Sequence, residues 1–133
     1  MRSTLLLIML WASFVCHAQS YKLFTTDEDL SSSLINHIYQ DSNGMIWVAT
    51  EDGLNRYDGA KFTTYKHNPE DAHSLSHNYV RRIFEDSKGH IYIGTHNGVQ
   101  VYNPATDTFS EKAILENDRP YNQSITDIIE RNN

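Results

Sequence analysis

Two aspartates, each at the head of a short polar motif, are the residues whose types and spacing most suggest chemistry. Asp41 begins Asp-Ser-Asn-Gly and Asp86 begins Asp-Ser-Lys-Gly. A calcium loop of the EF-hand type alternates oxygen ligands before a glycine at its sixth position. Here the glycines, Gly44 and Gly89, come at the fourth position. Because aspartate can accept bonds from the amides ahead of it and glycine accepts positive φ, both motifs favour tight turns over calcium sites.

Acid catalysis by paired carboxylates is the second chemistry that the sequence could support. A glycosidase needs two carboxylates about 5–10 Å apart across a sugar site. Glu51, Asp52 and Glu85 show no pairing pattern, and a turn role accounts for Asp41 and Asp86. We therefore expect no catalytic residues and no enzymatic activity in this chain.

The histidines and large aromatic residues offer metal binding and sugar stacking as further possibilities. His73 and His77 lie four residues apart in a polar segment, but no third ligand follows at a spacing typical of zinc sites. We expect neither a metal nor a cofactor. Trp47 and Tyr92 could stack on sugars, but their positions in the middle of predicted strands favour packing between sheets.

These residues belong to a repeat with a period of 45 residues. The matched positions are Asp41 with Asp86, Gly44 with Gly89, Trp47 with Tyr92, Thr50 with Thr95, Gly53 with Gly98 and Tyr57 with Tyr102. A third copy begins near the end, where Ile125, Ile128 and Glu130 match Val80, Ile83 and Glu85. A period of this length indicates a repeat architecture.

Each copy contains four segments with the pattern of β-strands. In the first copy they are LINHIYQ, MIWVAT, LNRY and KFTTYK, separated by turn motifs rich in Asp and Gly. Four antiparallel strands per copy are the content of a propeller blade. The predicted fold is therefore all-β, an incomplete β-propeller with two four-stranded blades and partial flanking strands.

The repeat also sets the expected boundaries along the chain. They are residues 1–18 for a signal peptide, 19–32 for a lead-in strand and linker, 33–66 for blade 1, 67–77 for a connecting loop, 78–112 for blade 2 and 113–133 for a linker and the start of a truncated third blade. Within them we expect a lone strand at residues 21–24. We also expect positive φ at Gly44 and Gly89, and burial of Ile46, Val48, Ile91 and Ile93.

The first residues resemble a secretory signal. A basic start and the apolar run Leu5–Val15 precede Ala18, so we expect cleavage between Ala18 and Gln19 and a periplasmic location. The alternatives are an uncleaved anchor and lipid attachment at Cys16, although Val15 is larger than the usual neighbour of a lipidated cysteine. Loss of Arg2 would take the formal charge from −6 to −7. An acidic exported chain is a poor binder of nucleic acid, and we expect no such contact.

The repeat resembles the two-component regulator propeller repeat. The resemblance rests on "IYQDSNGMIWVATEDGLNRYDG" and "IFEDSKGHIYIGTHNGVQVYNPATDTF" and extends over about residues 21–131. In the family pattern an acidic residue or glutamine, Asp, a small residue and Gly precede a strand of the type (I/L)W(I/V)GT. Ala49 and Tyr92 depart from that pattern, where Gly and Trp are usual.

The resemblance implies an N-terminal fragment of the periplasmic sensor region of a hybrid two-component protein of the Bacteroidetes type. The intact protein would be a histidine kinase anchored in the inner membrane, which senses oligosaccharides to control glycan-utilisation genes. Its partners would be an oligosaccharide, the remaining propeller blades and a second copy in a homodimer. Two alternatives are a fragment of a glycan-binding propeller or carbohydrate-active enzyme, and a truncated product without function. The sequence names neither the glycan nor its binding residues.

Overall fold

Antiparallel strands make up the regular structure of this protein. The computed structural model describes residues 21–27, 29–113, 115–116, 119–120 and 124–131. In chain order the strands are β1 (Ile35–Gln40), β2 (Ile46–Thr50), β3 (Gly53–Tyr57), β4 (Phe62–Tyr65), β5 (Val80–Glu85), β6 (Ile91–Thr95), β7 (Gly98–Asn103), β8 (Thr108–Lys112), β9 (Leu115–Glu116) and β10 (Arg119–Pro120). In this described part of the chain, no helix is long and apolar enough to cross a membrane.

The strands form two equivalent four-stranded sheets and one small hairpin. The first sheet has the order β1-β2-β3-β4 and the second has the order β5-β6-β7-β8, with every neighbouring pair antiparallel. Ile38 pairs with Val48 in the first sheet as Ile83 pairs with Ile93 in the second. The sheets are blades 1 and 2, and they confirm the predicted all-β fold with two four-stranded blades. The hairpin of β9 and β10 was not expected.

The core lies between the two blades, where β5 packs against β1 and β2. Its buried side chains come from both sheets and from the loop that joins them. They are Trp47, Ala49, Leu54, Leu75, Val80, Ile83, Ile91, Ile93, Tyr102 and Phe109. Burial of apolar surface at this seam is the main force that holds the blades together.

The face of blade 1 that points away from blade 2 has no neighbouring blade in the described structure. Ile38 on this face is 58% exposed, whereas its counterpart Ile83 at the seam is 1% exposed. Val48, Ile91 and Ile93 are buried as predicted, but Ile46 is only half-buried. The prediction for Ile46 was wrong because its side chain lies on this open face at the first position of β2, where no neighbouring blade covers it.

The segments before and after the blades differ from the expected flanking strands. Residues 21–25 form no strand, since no partner strand lies beside them. Phe24 instead packs on Tyr57 and Phe62, each ring centroid 5.0 Å away. Residues 124–131 form no strand either, but they lie against blade 2. The expected signal peptide and its cleavage point between Ala18 and Gln19 fall outside the described residues.

Candidate functional site

The Asp-Ser-x-Gly motif forms the same turn in both blades. Oδ1 of Asp41 accepts hydrogen bonds from the amides of Asn43 and Met45, at 3.0 and 2.9 Å. Oδ1 of Asp86 likewise accepts hydrogen bonds from the amides of Lys88 and His90, at 2.9 and 2.8 Å. Gly44 and Gly89 have φ of +84° and +82°, the positive values that the turn assignment predicts. A turn role thus accounts for both aspartates.

The second carboxylate oxygen of each aspartate ties the turn to the next strand. Oδ2 of Asp41 accepts the indole N–H of Trp47 at 2.7 Å, and Oδ2 of Asp86 accepts the hydroxyl of Tyr92 at 3.2 Å. Burial alone would raise the pKa of Asp86. Hydrogen bonds from the amide and ring of His90 outweigh that effect and hold this pKa well below its usual value.

Trp47 packs between the blades and is not a sugar platform. Its ring is 1% exposed and meets the ring of Tyr102 edge-on, with centroids 4.9 Å apart. Tyr92 occupies the matching position in blade 2 and is half-buried. Trp47 therefore contributes to the core at the seam.

A glutamate from the following copy binds the serine of each turn. The amide of Ser42 donates to Oε2 of Glu85 at 2.8 Å, and the Ser42 hydroxyl donates to the same carboxylate. Ser87 makes the same two bonds to Glu130, at 2.9 and 2.8 Å. We call this pair of bonds the serine–glutamate clamp. It joins each turn to the copy that follows it in the chain.

Arg56 forms a second link between the blades, near the outer strands. Its guanidinium lies 2.8 Å from Asp107 and bonds the hydroxyl of Tyr102. Asp107 also accepts the hydroxyls of Tyr65 and Tyr102, each at 2.6 Å. Asp107 lies in the turn that is two residues longer in the second copy, and it has a φ of +57°. The longer turn thus places a carboxylate across the seam.

Thr50 and Thr95 fix the turn between the second and third strands of each blade. Each hydroxyl donates to the carbonyl of the glycine three residues on, Gly53 or Gly98, at 2.8 and 3.2 Å. Each also bonds a serine upstream of the blade, Ser31 or Ser76, at 2.9 Å.

Sequence reasoning missed the side chains that complete this network. Asn55 accepts the amide of Ser31 at 3.0 Å, and Gln100 accepts the amide of Ser76 at 2.8 Å. Asn55 and Gln100 are 45 residues apart and are both carboxamides. Their match in the repeat was the signal that could have identified them.

At the opposite end of β5 from the clamp, aromatic and basic side chains gather at the loop edge of the seam. The ring of Tyr79 stacks on His96 with centroids 4.2 Å apart, and Cζ of Arg81 lies 5.3 Å from the Tyr79 ring centroid. His77 lies 5.6 Å from His96, between ring centroids. The Tyr79 hydroxyl donates to Glu51 of blade 1 at 3.1 Å. We call His77, Tyr79, Arg81 and His96 the loop-edge group.

The structure does not bring the histidines of the connecting loop together as a metal site. The backbone amide of His73 donates a hydrogen bond to the carboxylate of Asp71, whereas the ring of His77 lies beside that of His96. Across the described residues, no group of three or more His, Cys, Asp and Glu side chains is arranged to hold a metal ion.

Both copies of the repeat are similar to a known protein family. The two component regulator propeller family matches residues 29–52 and 74–97. Histidine kinase P4 of Formosa agariphila is 48% identical over 56 residues, which are 42% of this chain and 4% of the kinase.

Solved structures share the fold. The extracellular domain of the hybrid two component system BT4673 from B. thetaiotaomicron aligns with a TM-score of 0.62 and 24% identity. The alignment covers 80% of this chain and 15% of that domain. A second structure of the BT4673 domain aligns equally well. The chain therefore spans a small part of the length of the proteins it matches.

Proposed function

Because residues 29–52 and 74–97 are two component regulator propeller repeats, we propose that this chain is part of the periplasmic sensor region of a hybrid two-component system. In this proposal the propeller binds an oligosaccharide, and the kinase of the intact protein responds by controlling glycan-utilisation genes. The chain itself carries no catalytic step.

The 45-residue register of turn and clamp is the observation that carries the proposal. The same serine–glutamate contacts join blade 1 to blade 2 and blade 2 to residues 124–131. Such a unit can be extended by adding blades, as sensor propellers require. The likeness to a histidine kinase and to the extracellular domain of a two-component protein supports the location and the signalling role.

The open face of blade 1 supports further blades of the same repeat as its partner. Ile38 and Val48 on this face match Ile83 and Ile93, which are buried at the seam. Gln40 stands where Glu85 and Glu130 bind the serine of the preceding turn. Its amide group can accept the serine N–H and donate to the serine hydroxyl, so the clamp can form there without a charge.

The test is deletion of the gene that encodes this chain, followed by growth on individual purified glycans and RNA sequencing. We expect one group of glycan-utilisation genes to lose induction on one glycan, with no change on glucose. Complementation with the intact gene is the control and should restore induction. In parallel, calorimetry with the purified extracellular region should detect binding of an oligosaccharide derived from that glycan.

Two results together would reject the sensor function. One is an unchanged transcriptional response on every glycan that supports growth. The other is hydrolysis of an oligosaccharide by the purified extracellular region, which would favour a carbohydrate-active enzyme on the same scaffold.

A further inference from the structure

The loop-edge group is specific to the second copy, whereas the framework residues repeat. The turn aspartates, the threonines and their serine partners occur at matching positions in both blades. The positions that match the loop-edge group in blade 1 are Ser32, Leu34, Asn36 and Glu51. A blade of this type therefore forms without His77, Tyr79, Arg81 or His96, and these residues are free to serve another role.

Arg81 lies at a β-bulge of the strand that forms the inner edge of its sheet. The register of β5 shifts between Val80 and Arg82, so Arg81 has no partner residue on β6. Bulges re-aim a side chain and are frequent next to binding sites. The bulge residue of blade 1, Asn36, donates to the carbonyl of Val80 at 2.8 Å. The bulge thus directs Asn36 at a specific acceptor in the first copy.

Within the described part of the chain, Arg81 lacks an equivalent acceptor. Its Nε is shielded from solvent and makes no hydrogen bond to the described residues. Three other cations of the two blades each bind an aspartate: Arg56, Lys66 and Arg82 bind Asp107, Asp52 and Asp127 at 2.6–2.8 Å. The two Nη groups of Arg81 are not among the buried atoms, and its side chain is half-buried, so the outer side of the guanidinium is open to an acceptor that a ligand supplies.

The neighbouring histidines add donors and ring surface at the same edge. Nδ1 of His77 accepts the amide of Tyr79 at 2.9 Å. The proton of the neutral His77 ring is therefore on Nε2, which is a donor on an exposed side chain. His96 is also exposed, with its ring stacked on Tyr79. The Arg81 and His77 side chains thus place hydrogen-bond donors close together, although the chain as a whole has a formal charge of −6.

We propose that the loop-edge group binds the anionic substituent of a saccharide, a carboxylate or a sulfate ester, with Arg81 as the principal contact. The planar guanidinium fork matches the paired oxygens of either group and can bind them with two parallel hydrogen bonds. His77 and His96 flank the sugar ring. This inference rests on the proposed sensor function for the saccharide part of the ligand, and on Arg81 for the charge.

The experiment is calorimetry on the complete extracellular region with matched charged and neutral saccharides. The probes are digalacturonate and its methyl ester, and sulfated galactobiose and its unsulfated form. We expect binding of one charged probe and no binding of its neutral counterpart. Arg81→Gln should weaken that binding about ten- to a hundred-fold, and Arg81→Lys should weaken it less. Lys88→Gln, which removes an exposed cation from the turn at the other end of β5, should leave the affinity unchanged.

Salt and stability measurements complete the test. Affinity of the wild type should fall as salt rises, because the contact is between charges. The unfolding midpoint of each variant shows whether it folds, and Arg81→Lys provides the comparison if Arg81→Gln does not. Equal binding by the wild type and the Arg81 variants, or preference for the neutral probes, would overturn the inference and leave the sensor function standing. No saccharide binding, combined with an unchanged response after gene deletion, would reject both.

Discussion

At the scale of single residues, the turn aspartates accept the hydrogen bonds that hold each Asp-Ser-x-Gly turn in its conformation. Each carboxylate of Asp41 and Asp86 accepts bonds on both oxygens, from backbone amides and from an aromatic side chain. At Asp86, burial opposes ionisation, but the bonds from His90, Lys88 and Tyr92 favour the ionised carboxylate and lower its pKa, because every partner is a donor. The pKa of Asp107 is lowered as well: burial opposes the shift, but bonds from Tyr102, Tyr65 and Arg56 dominate. Acid should therefore weaken both the turn and the seam.

The first prediction follows from the lowered pKa of Asp86. A carboxyl group with a lower pKa in the folded state stabilises the protein above its unfolded pKa of about 3.9, and that contribution is lost as the pH falls below it. The unfolding midpoint of the protein should therefore drop steeply from about pH 5 downwards. Asp86→Asn should lower the unfolding midpoint at pH 7. It should also reduce the acid slope, which is the decrease of the unfolding midpoint as the pH falls below about 5.

Thermal unfolding followed by circular dichroism between pH 7 and pH 2.5 measures both effects. Asp27→Asn, at an exposed position ahead of blade 1, is the control and should keep the wild-type slope. An acid slope in Asp86→Asn as steep as that of the wild type would contradict the assignment.

At the scale of elements, tight turns connect the strands of each blade, and the clamp adds hydrogen bonds to the apolar packing between copies. The turn between β2 and β3 is the tightest of these places. Gly53 has a φ of +134°, and a Cβ on it would lie 2.9 Å from the carbonyl oxygen of Tyr65. Gly44 also has a positive φ, but a Cβ there would meet nothing within 4 Å. Alanine at Gly44 would therefore introduce backbone strain alone, whereas alanine at Gly53 would add a steric collision.

The second prediction compares alanine at these two glycines. Gly44→Ala should cost about 1 kcal/mol in free energy of unfolding, because alanine disfavours positive φ. Gly53→Ala should cost about twice that or more, since it adds the collision with the backbone of β4. Urea denaturation of both variants measures the difference. Equal losses of stability would show that the contact with Tyr65 relaxes without cost.

The third prediction concerns the serine–glutamate clamp. Glu85→Ala should destabilise the protein by about 1–2 kcal/mol, because it removes the charged acceptor of two bonds from Ser42. Ser42→Ala removes one of them, so the two substitutions should not be additive in a double-mutant cycle. Glu111→Ala, at an exposed position on β8, is the matched control and should change stability little. Additive effects of Ser42→Ala and Glu85→Ala would mean that the clamp contributes no coupling.

At the scale of the whole molecule, the two outer faces differ in how they are covered. Residues 124–131 lie on blade 2: Ile125 contacts Gly94, and its amide donates to the carbonyl of Thr95 at 2.9 Å. A Cβ on Gly94 would lie 2.8 Å from Ile125, so the small residue admits this segment. Blade 1 exposes Ile35 and Ile38 on its open side. Exposed apolar faces of this kind promote association.

The fourth prediction is that a protein of residues 19–133 alone associates through the open face of blade 1. Propellers close with four to eight blades, and two blades leave this face without a neighbour. Ile38→Glu should reduce association while keeping the β-sheet circular dichroism spectrum, because the side chain is already exposed. Sedimentation velocity at several concentrations measures the change. Ile83→Glu, at the buried counterpart, should instead unfold the protein. A wild-type fragment that stays monomeric at all concentrations would contradict the prediction.

The sequence by itself determined the number of strands in each blade, the turns and the register between the copies. These depend on local patterns: alternating apolar residues set the strands, and Asp-Ser-x-Gly sets the turn through bonds made within four residues. The 45-residue period then required the second sheet to repeat the first. The turn role of Asp41 followed, because its bonds to Asn43, Met45 and Trp47 are made within six residues.

Only the tertiary structure decided which faces are buried and which residues meet across the seam. The half-buried Ile46 and the irregular segment 21–25 depend on a neighbouring blade or strand, which no local pattern encodes. The bonds of Glu85 to Ser42 and of Arg56 to Asp107 join residues 43 and 51 positions apart. The loop-edge group likewise depends on the pairing of β5 with β6, which brings His96 beside Tyr79. Contacts at such distances along the chain arise from packing, so they became visible only in the folded protein.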